Sequence, residues 1–237
     1  MEAKLFLDRV AARLGRAATR SAPPAAAGRL PESYAASPLG VASVDRAERF
    51  KQELELVGCK VTFASSLASV HAALRAELAA WKAQRLVSWA LLELEGWKVE
   101  QLLAEAGCAA YPGPAADRSG AFAELCQKAD LGITTVDFGI VNTGTLAIAA
   151  GPGRPRAVSL VPTVHVALVR ETQLVDRLGQ AFDGFRDSGR VLSSNVIFIT
   201  GPSRTSDIEN DLSIGVHGPA AVSVILWRDR ATSARPE

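Results

Sequence analysis

Apolar and polar positions change period several times along the chain. Between residues 2 and 19, Leu5, Val10, Ala11 and Leu14 recur at helical spacing among Asp8, Arg9, Arg13 and Arg16. That pattern predicts a short amphipathic helix. Residues 20–40 lose the period and fill with Ala, Pro, Gly and Ser, including Pro23, Pro24, Pro31 and Pro38. Such a stretch reads as a loop or linker. The chain therefore divides into residues 1–40, an N-terminal helix with a Pro/Ala-rich linker, and residues 41–237, the main domain.

From residue 43 helix and strand patterns alternate. The spacing predicts a helix over 44–57 that ends at Gly58, a suitable residue for a C-terminal cap. A strand follows at 60–64, a helix at 67–84 and an apolar strand at 85–90. A helix at 93–106 stops at Gly107, and 108–111 is a short strand. This alternation predicts a parallel or mixed sheet with helices on both faces. In the second half, 131–140 and 145–150 are apolar, and Asn142, Thr143 and Gly144 make a short turn between them. Two strands joined so closely form a hairpin. A loop at 151–156 leads to apolar segments at 157–160 and 164–169, then a helix at 175–185. Residues 195–200 carry a buried-strand signal, and 222–227 form the last strand before a polar tail.

Composition narrows this further. Apolar residues make up 48% of the 237, enough for a sizeable core, and the formal net charge is +1. No strong field would draw the chain to nucleic acid or to an anionic membrane. The longest charge-free runs, 138–153 and 157–169, are broken by Gly and Thr or by Pro162, so no membrane span is expected. Near the start, Asp8 and Arg9 interrupt any apolar run of the kind a secretory signal needs, which points to the cytoplasm. The three cysteines, Cys59, Cys108 and Cys126, form no C-x-x-C pair, and His71, His165 and His217 are far apart. Iron–sulfur and zinc sites need clustered thiolates or histidines. Neither a metal site nor a cofactor is expected, and the cysteines read as small buried residues. Trp81, Trp89 and Trp97 are evenly spaced, but a predicted strand interrupts them, so they read as packing residues.

Candidate chemistry lies in two loops. The segment 200–209 follows the strand at 195–200 and reads as the opening of a helix. Its Ser203, Arg204, Thr205, Asp207 and Glu209 offer hydroxyls, a guanidinium and carboxylates where α/β sheets bind ligands. Ser206 and Glu209 also have capping-box spacing, which needs no ligand. The second loop holds Asn142, Thr143, Gly144 and Thr145, either an ordinary hairpin turn or hydroxyls that meet a ligand. Arg154 and Arg156 read as solvated. His165, in an apolar strand, reads as a hydrogen-bonded core residue. His217, in a glycine-containing loop, is the better functional candidate. No nucleophile elbow, Walker loop or dinucleotide fingerprint occurs, so no catalytic residue is assigned.

Five segments occur in order: Gly132-Ile133-Thr134 leading to Asp137-Phe138-Gly139-Ile140; Asn142-Thr143-Gly144-Thr145-Leu146; Pro162-Thr163-Val164-His165-Val166; residues 199–209; and Gly215-Val216-His217-Gly218-Pro219. Together they resemble the LutC/YkgG family, whose members share the LUD domain. The resemblance covers roughly residues 43–228. It implies a three-layer α/β/α fold with a mixed, mostly parallel sheet, similar to the NagB/RpiA/CoA transferase-like fold. It also implies a part in oxidising L-lactate to pyruvate beside iron–sulfur partner subunits. Family members commonly carry an acidic residue where this chain has Asn142. An amide is neither an anionic nucleophile nor a useful base, so the resemblance carries no nucleophile to this position.

Three readings follow. The first is an accessory or substrate-handling subunit of a lactate-oxidising system, with Arg204 holding a small carboxylate or phosphate ligand or a partner's acidic group. The second is an independent enzyme on a phosphorylated or CoA-linked molecule, an analogy from fold alone. The third is a non-catalytic interaction protein. Whether the chain turns over substrate, and whether it forms a homo-oligomer, stay open at this stage.

Overall fold

The computed structural model describes Arg9, Ala12, Arg13 and residues 45–117, 119–188, 195–206 and 212–228, with backbone alone at 205–206 and 212–214. Arg9, Ala12 and Arg13 are helical and exposed. The remainder of the expected N-terminal helix and linker lies outside the described residues.

Parallel strands make the centre of the molecule. Six strands, β1 (Lys60–Ala64), β2 (Leu86–Ser88), β3 (Ala109–Ala110), β4 (Leu131–Thr135), β7 (Val164–Arg170) and β12 (Ala221–Trp227), pair in the order β1-β12-β7-β4-β2-β3. Every pairing in this sheet is parallel. β7 and β12 are apolar at successive positions because both faces of each strand are covered. On β7, Val164, Val166 and Leu168 join one core with Val70 and Leu74 of α2 (Leu67–Ala80) and Leu102 and Leu103 of α4 (Glu100–Glu105). Ala167 and Val169 join the opposite core with Phe50 and Leu54 of α1 (Arg46–Leu56) and Phe122 and Cys126 of α5 (Ala121–Lys128). Helices on both faces of one sheet make the expected three-layer α/β/α arrangement.

A second sheet of four strands holds the mixed pairing. Its order is β8 (Leu174–Val175), β5 (Phe138–Ile140), β6 (Thr145–Ala149) and β9 (Val196–Ile199). β5 and β6 form the expected antiparallel hairpin, with Ile140 opposite Thr145. Leu146, Ile148 and Ile199 pack into the core under α1, while Ile140 and Ala147 pack against Ala181 and Phe185 of α7 (Leu178–Asp187). The sheet is thus held between two helices.

Several expectations change. Residues 131–140 are two strands in different sheets, not one arm of a hairpin. β9 pairs with β6 alone among the described residues, and Phe198 is 38% exposed, so 195–200 is an edge strand rather than a buried one. The helix expected at 93–106 is broken: α3 (Leu91–Leu94) runs into a 3-10 turn at Glu95–Trp97, and Lys98 is left-handed at φ 48°. Tertiary packing explains the break, because Trp97 is buried against Trp227, 5.7 Å between ring centroids. The helix expected at 175–185 begins later, after the two-residue strand β8. Two helices were not foreseen, α5 and the short α6 (Ala157–Leu160).

Candidate functional site

Polar groups collect at both ends of the parallel sheet. At the carboxyl end, where ligands bind in open α/β sheets, there is a cavity of about 1180 Å³. Thr135, the last residue of β4, and Arg170, the last of β7, line it, with Trp97, Phe138, Phe185 and Val196. Asp137 and Arg154 form one wall. Arg154 Nη1 and Nη2 donate to the two carboxylate oxygens of Asp137 at 2.9 and 3.0 Å. Asp137 also accepts from the Ala149 amide at 2.7 Å. The guanidinium lies over the Trp89 ring, 4.3 Å from its centroid, and Glu93 Oε2 is 3.8 Å from its Nε.

Local sequence builds this wall. Gly151 and Arg154 exchange backbone hydrogen bonds at 3.2 and 2.9 Å, closing a tight turn around Pro152 and Gly153. A side chain on Gly153 would meet Glu93 at 3.0 Å, so glycine lets the turn lie against α3. Arg154 is only 7% exposed, which corrects its reading as a solvated residue. A buried guanidinium needs a carboxylate partner, and Asp137 supplies it. Arg170 is held by its neighbours as well: it donates to the Gly96 carbonyl and stacks 4.7 Å from Trp97 and 4.3 Å from Trp227.

The two loops singled out from sequence lie elsewhere. None of the predicted residues that the structure describes lines the cavity. Ser203 donates from its amide to Pro219 O at 2.9 Å, and Ala220 donates to Thr163 O at 2.8 Å. Pro219 and Thr163 precede β12 and β7, so this region is at the amino end of the sheet. The carboxyl-end argument fails here because the loop follows β9, an edge strand of the second sheet. Nor does the segment open a helix. Residues 204–206 form β10 (Arg204–Ser206), antiparallel to β11 (Leu212–Ile214). Ser206 is therefore a strand residue opposite Leu212 and not a helix cap.

The structure does bring the two loops together. Thr145 Oγ1 is 2.7 Å from Thr143 Oγ1 and 2.8 Å from Thr200 Oγ1. Both loops touch the C-terminal half of α1. Gly144, at φ 56°, approaches so closely that a Cβ would be 2.6 Å from the Glu53 carbonyl carbon. Gly201, at φ 88°, would place one 2.5 Å from Val57 O. Only glycine suits both the left-handed backbone and these contacts. Arg204 Nη2 donates to Val57 O at 2.9 Å, a cation on a helix C-terminus. Asn142 donates its backbone N–H to Asp176 O at 3.2 Å. His217 donates its amide to Ser203 Oγ at 3.3 Å, and the residue is exposed. Thr205 pairs with Ser213 through backbone. Asp207 and Glu209 lie outside the described residues.

Titration follows burial. Burial pushes the Cys59 thiol up to about 11, against the opposing charge of Arg204. Burial raises Cys108 and Cys126 to about 11 as well. His165 is fully buried, its Nε2 is 2.9 Å from Thr134 Oγ1, and burial holds it down at about 4. It is neutral near pH 7, in keeping with a core histidine.

Known proteins share this architecture. A crystal structure of a DUF162 family protein from Deinococcus radiodurans superposes with a TM-score of 0.57 at 22% identity, covering 78% of this chain and 99% of that one. This likeness concerns the fold. In sequence, the chain is 39% identical over 110 residues to lactate utilization protein C of Halalkalibacterium halodurans. It is 36% identical over 118 residues to that of Bacillus subtilis and 41% over 109 residues to that of an Exiguobacterium species. These matches take 45%, 48% and 45% of this chain and 48%, 49% and 47% of the relatives, so the chain spans about half the length of the curated relatives it matches. Residues 47–227, the whole of the sheet-and-helix unit, match the LUD domain, and the chain belongs to the LUD domain family.

Proposed function

We propose that this chain is an accessory or substrate-handling subunit of a cytoplasmic system that oxidises L-lactate to pyruvate. Iron–sulfur partner subunits carry the electrons. The observation that supports this most is its likeness to proteins named lactate utilization protein C.

In this reading the amino-end loops contact a small carboxylate or an acidic group of a partner. Arg204 is exposed there, at the end of α1 that both loops touch. The test is L-lactate-dependent dye reduction in lysates of a strain lacking the gene, with and without the gene restored. Activity should fall on deletion and return on complementation. Unchanged activity, in a strain with no other lactate oxidase, would remove the chain from this pathway.

One observation favours a second reading, an independent enzyme: the cavity lies at the carboxyl end of the sheet, where catalytic sites of α/β enzymes form. Turnover of a CoA ester or sugar phosphate by the isolated chain would favour that reading over the first.

A further inference from the structure

We infer that the carboxyl-end cavity binds a planar, uncharged ring that carries carbonyl or hydroxyl oxygens, such as a quinone or an isoalloxazine. Size is the first argument. Drug-sized ligands occupy pockets of roughly 300–1000 Å³, and this one is about 1180 Å³. A three-carbon acid would leave most of it filled with water.

Charge is the second argument. Among the described residues, Arg154, Arg170, Glu93 and Asp137 line the cavity, and these charges balance. Arg154 is already engaged by both oxygens of Asp137. A phosphate would want backbone N–H groups in a concave turn, and the adjacent loop has few to offer. Ala150 N–H goes to Asn195 O at 3.0 Å, Gly151 N–H to Arg154 O, and Arg154 N–H to Gly151 O. Pro152 has none.

Shape is the third argument. Phe138 and Phe185 meet edge to face at 4.9 Å, and Trp97 joins them in the lining. These rings give the cavity aromatic surface on which a flat guest can pack. Ala149, Ala150 and Gly151 make a low wall, and a Cβ on Gly151 would meet nothing within 4 Å. The Thr135 hydroxyl at the end of β4 supplies a hydrogen bond for a ring oxygen. This assignment is independent of the lactate reading and of the amino-end loops, and it stands against the second reading, which would put a CoA ester or sugar phosphate in the same cavity.

Gly151 provides the test. Gly151 lines the cavity and a Cβ there would meet nothing within 4 Å, so Gly151→Trp sets a bulky ring on the cavity wall. Menadione and riboflavin serve as uncharged ring probes, and ATP and coenzyme A as charged ones, in calorimetric titrations of the full chain. The expected result is saturable binding of menadione or riboflavin, one per chain, weakened at least about tenfold by Gly151→Trp with the thermal midpoint retained. If that variant unfolds, Thr135→Val, which keeps the volume and removes the hydroxyl, should weaken the same probe. The assignment is overturned if neither ring probe binds, if the variants bind as the parent does, or if ATP or coenzyme A competes for the cavity.

Discussion

Two arginines show how differently the ends of the sheet are built. Arg154, at the carboxyl end, is 7% exposed, paired with both oxygens of Asp137 and stacked on Trp89. Arg204, at the amino end, is exposed and, among the described residues, donates one hydrogen bond, to the C-terminus of α1. The first is part of the fold, since removing it would take the cation from a carboxylate that is only 13% exposed. The second adds to a helix end that water could also satisfy. Burial, rather than residue type, sets what each guanidinium is worth, and a loop can present a cation for recognition only where the fold does not depend on it.

The contrast is easiest to break at Arg154. Arg154→Met should cost about 3–5 kcal/mol, the usual loss when half of a buried ion pair is removed. Removing both charges with Asp137→Leu and Arg154→Met should recover much of it. Urea unfolding would check both, and a single-variant cost under about 1 kcal/mol would mean that the pair behaves as a surface contact.

Between the two ends, His165 adds a pH dependence. Its folded value of about 4 lies below the ordinary 6.5, so the unfolded chain binds the proton more readily. Stability from this residue is complete above pH 6.5 and declines as the pH falls toward 4, by up to about 3 kcal/mol. Unfolding at a series of pH values should show this slope in the parent and lose it in His165→Asn.

At the amino end the backbone matters more than the charge. Gly144→Ala should cost about 2 kcal/mol, from a left-handed φ and a clash with α1. Thr145→Val should cost about 1 kcal/mol, because its two hydroxyl partners, Thr143 and Thr200, can turn to water. Arg204→Ala should cost only about 0.5 kcal/mol. Its informative readout is lactate oxidation, and retained activity in that variant would count against a ligand or partner contact at this loop.

Much of the frame was legible because burial on both faces writes itself into a strand. The apolar runs of β7 and β12 and the amphipathic repeat of α1 follow from where those elements sit. The hairpin at 138–149 was legible from the glycine turn at Gly144. Strand 196–199 misled for a physical reason. Its residues are as apolar as those of a central strand, yet it pairs on one side with β6 and rests on α7 through Phe198 and Phe182, 5.6 Å apart. Hydrophobic content does not reveal which sheet a strand joins.

Local order in this chain thus came from properties each segment carries itself: its period, its turn glycines and its charge-free runs. The ordered segments that resemble the LUD family are of this kind, and so is the dispersal of its three cysteines. The site depended on distances that no segment contains. Asp137 and Arg154 are neighbours because the link from β4 to β5 and the 151–154 turn both lie over the carboxyl end of the parallel sheet. Thr145 reaches Thr200 because β6 pairs with β9. Which end of a parallel sheet a loop occupies depends on strand direction and order, and these are set only when the whole sheet assembles.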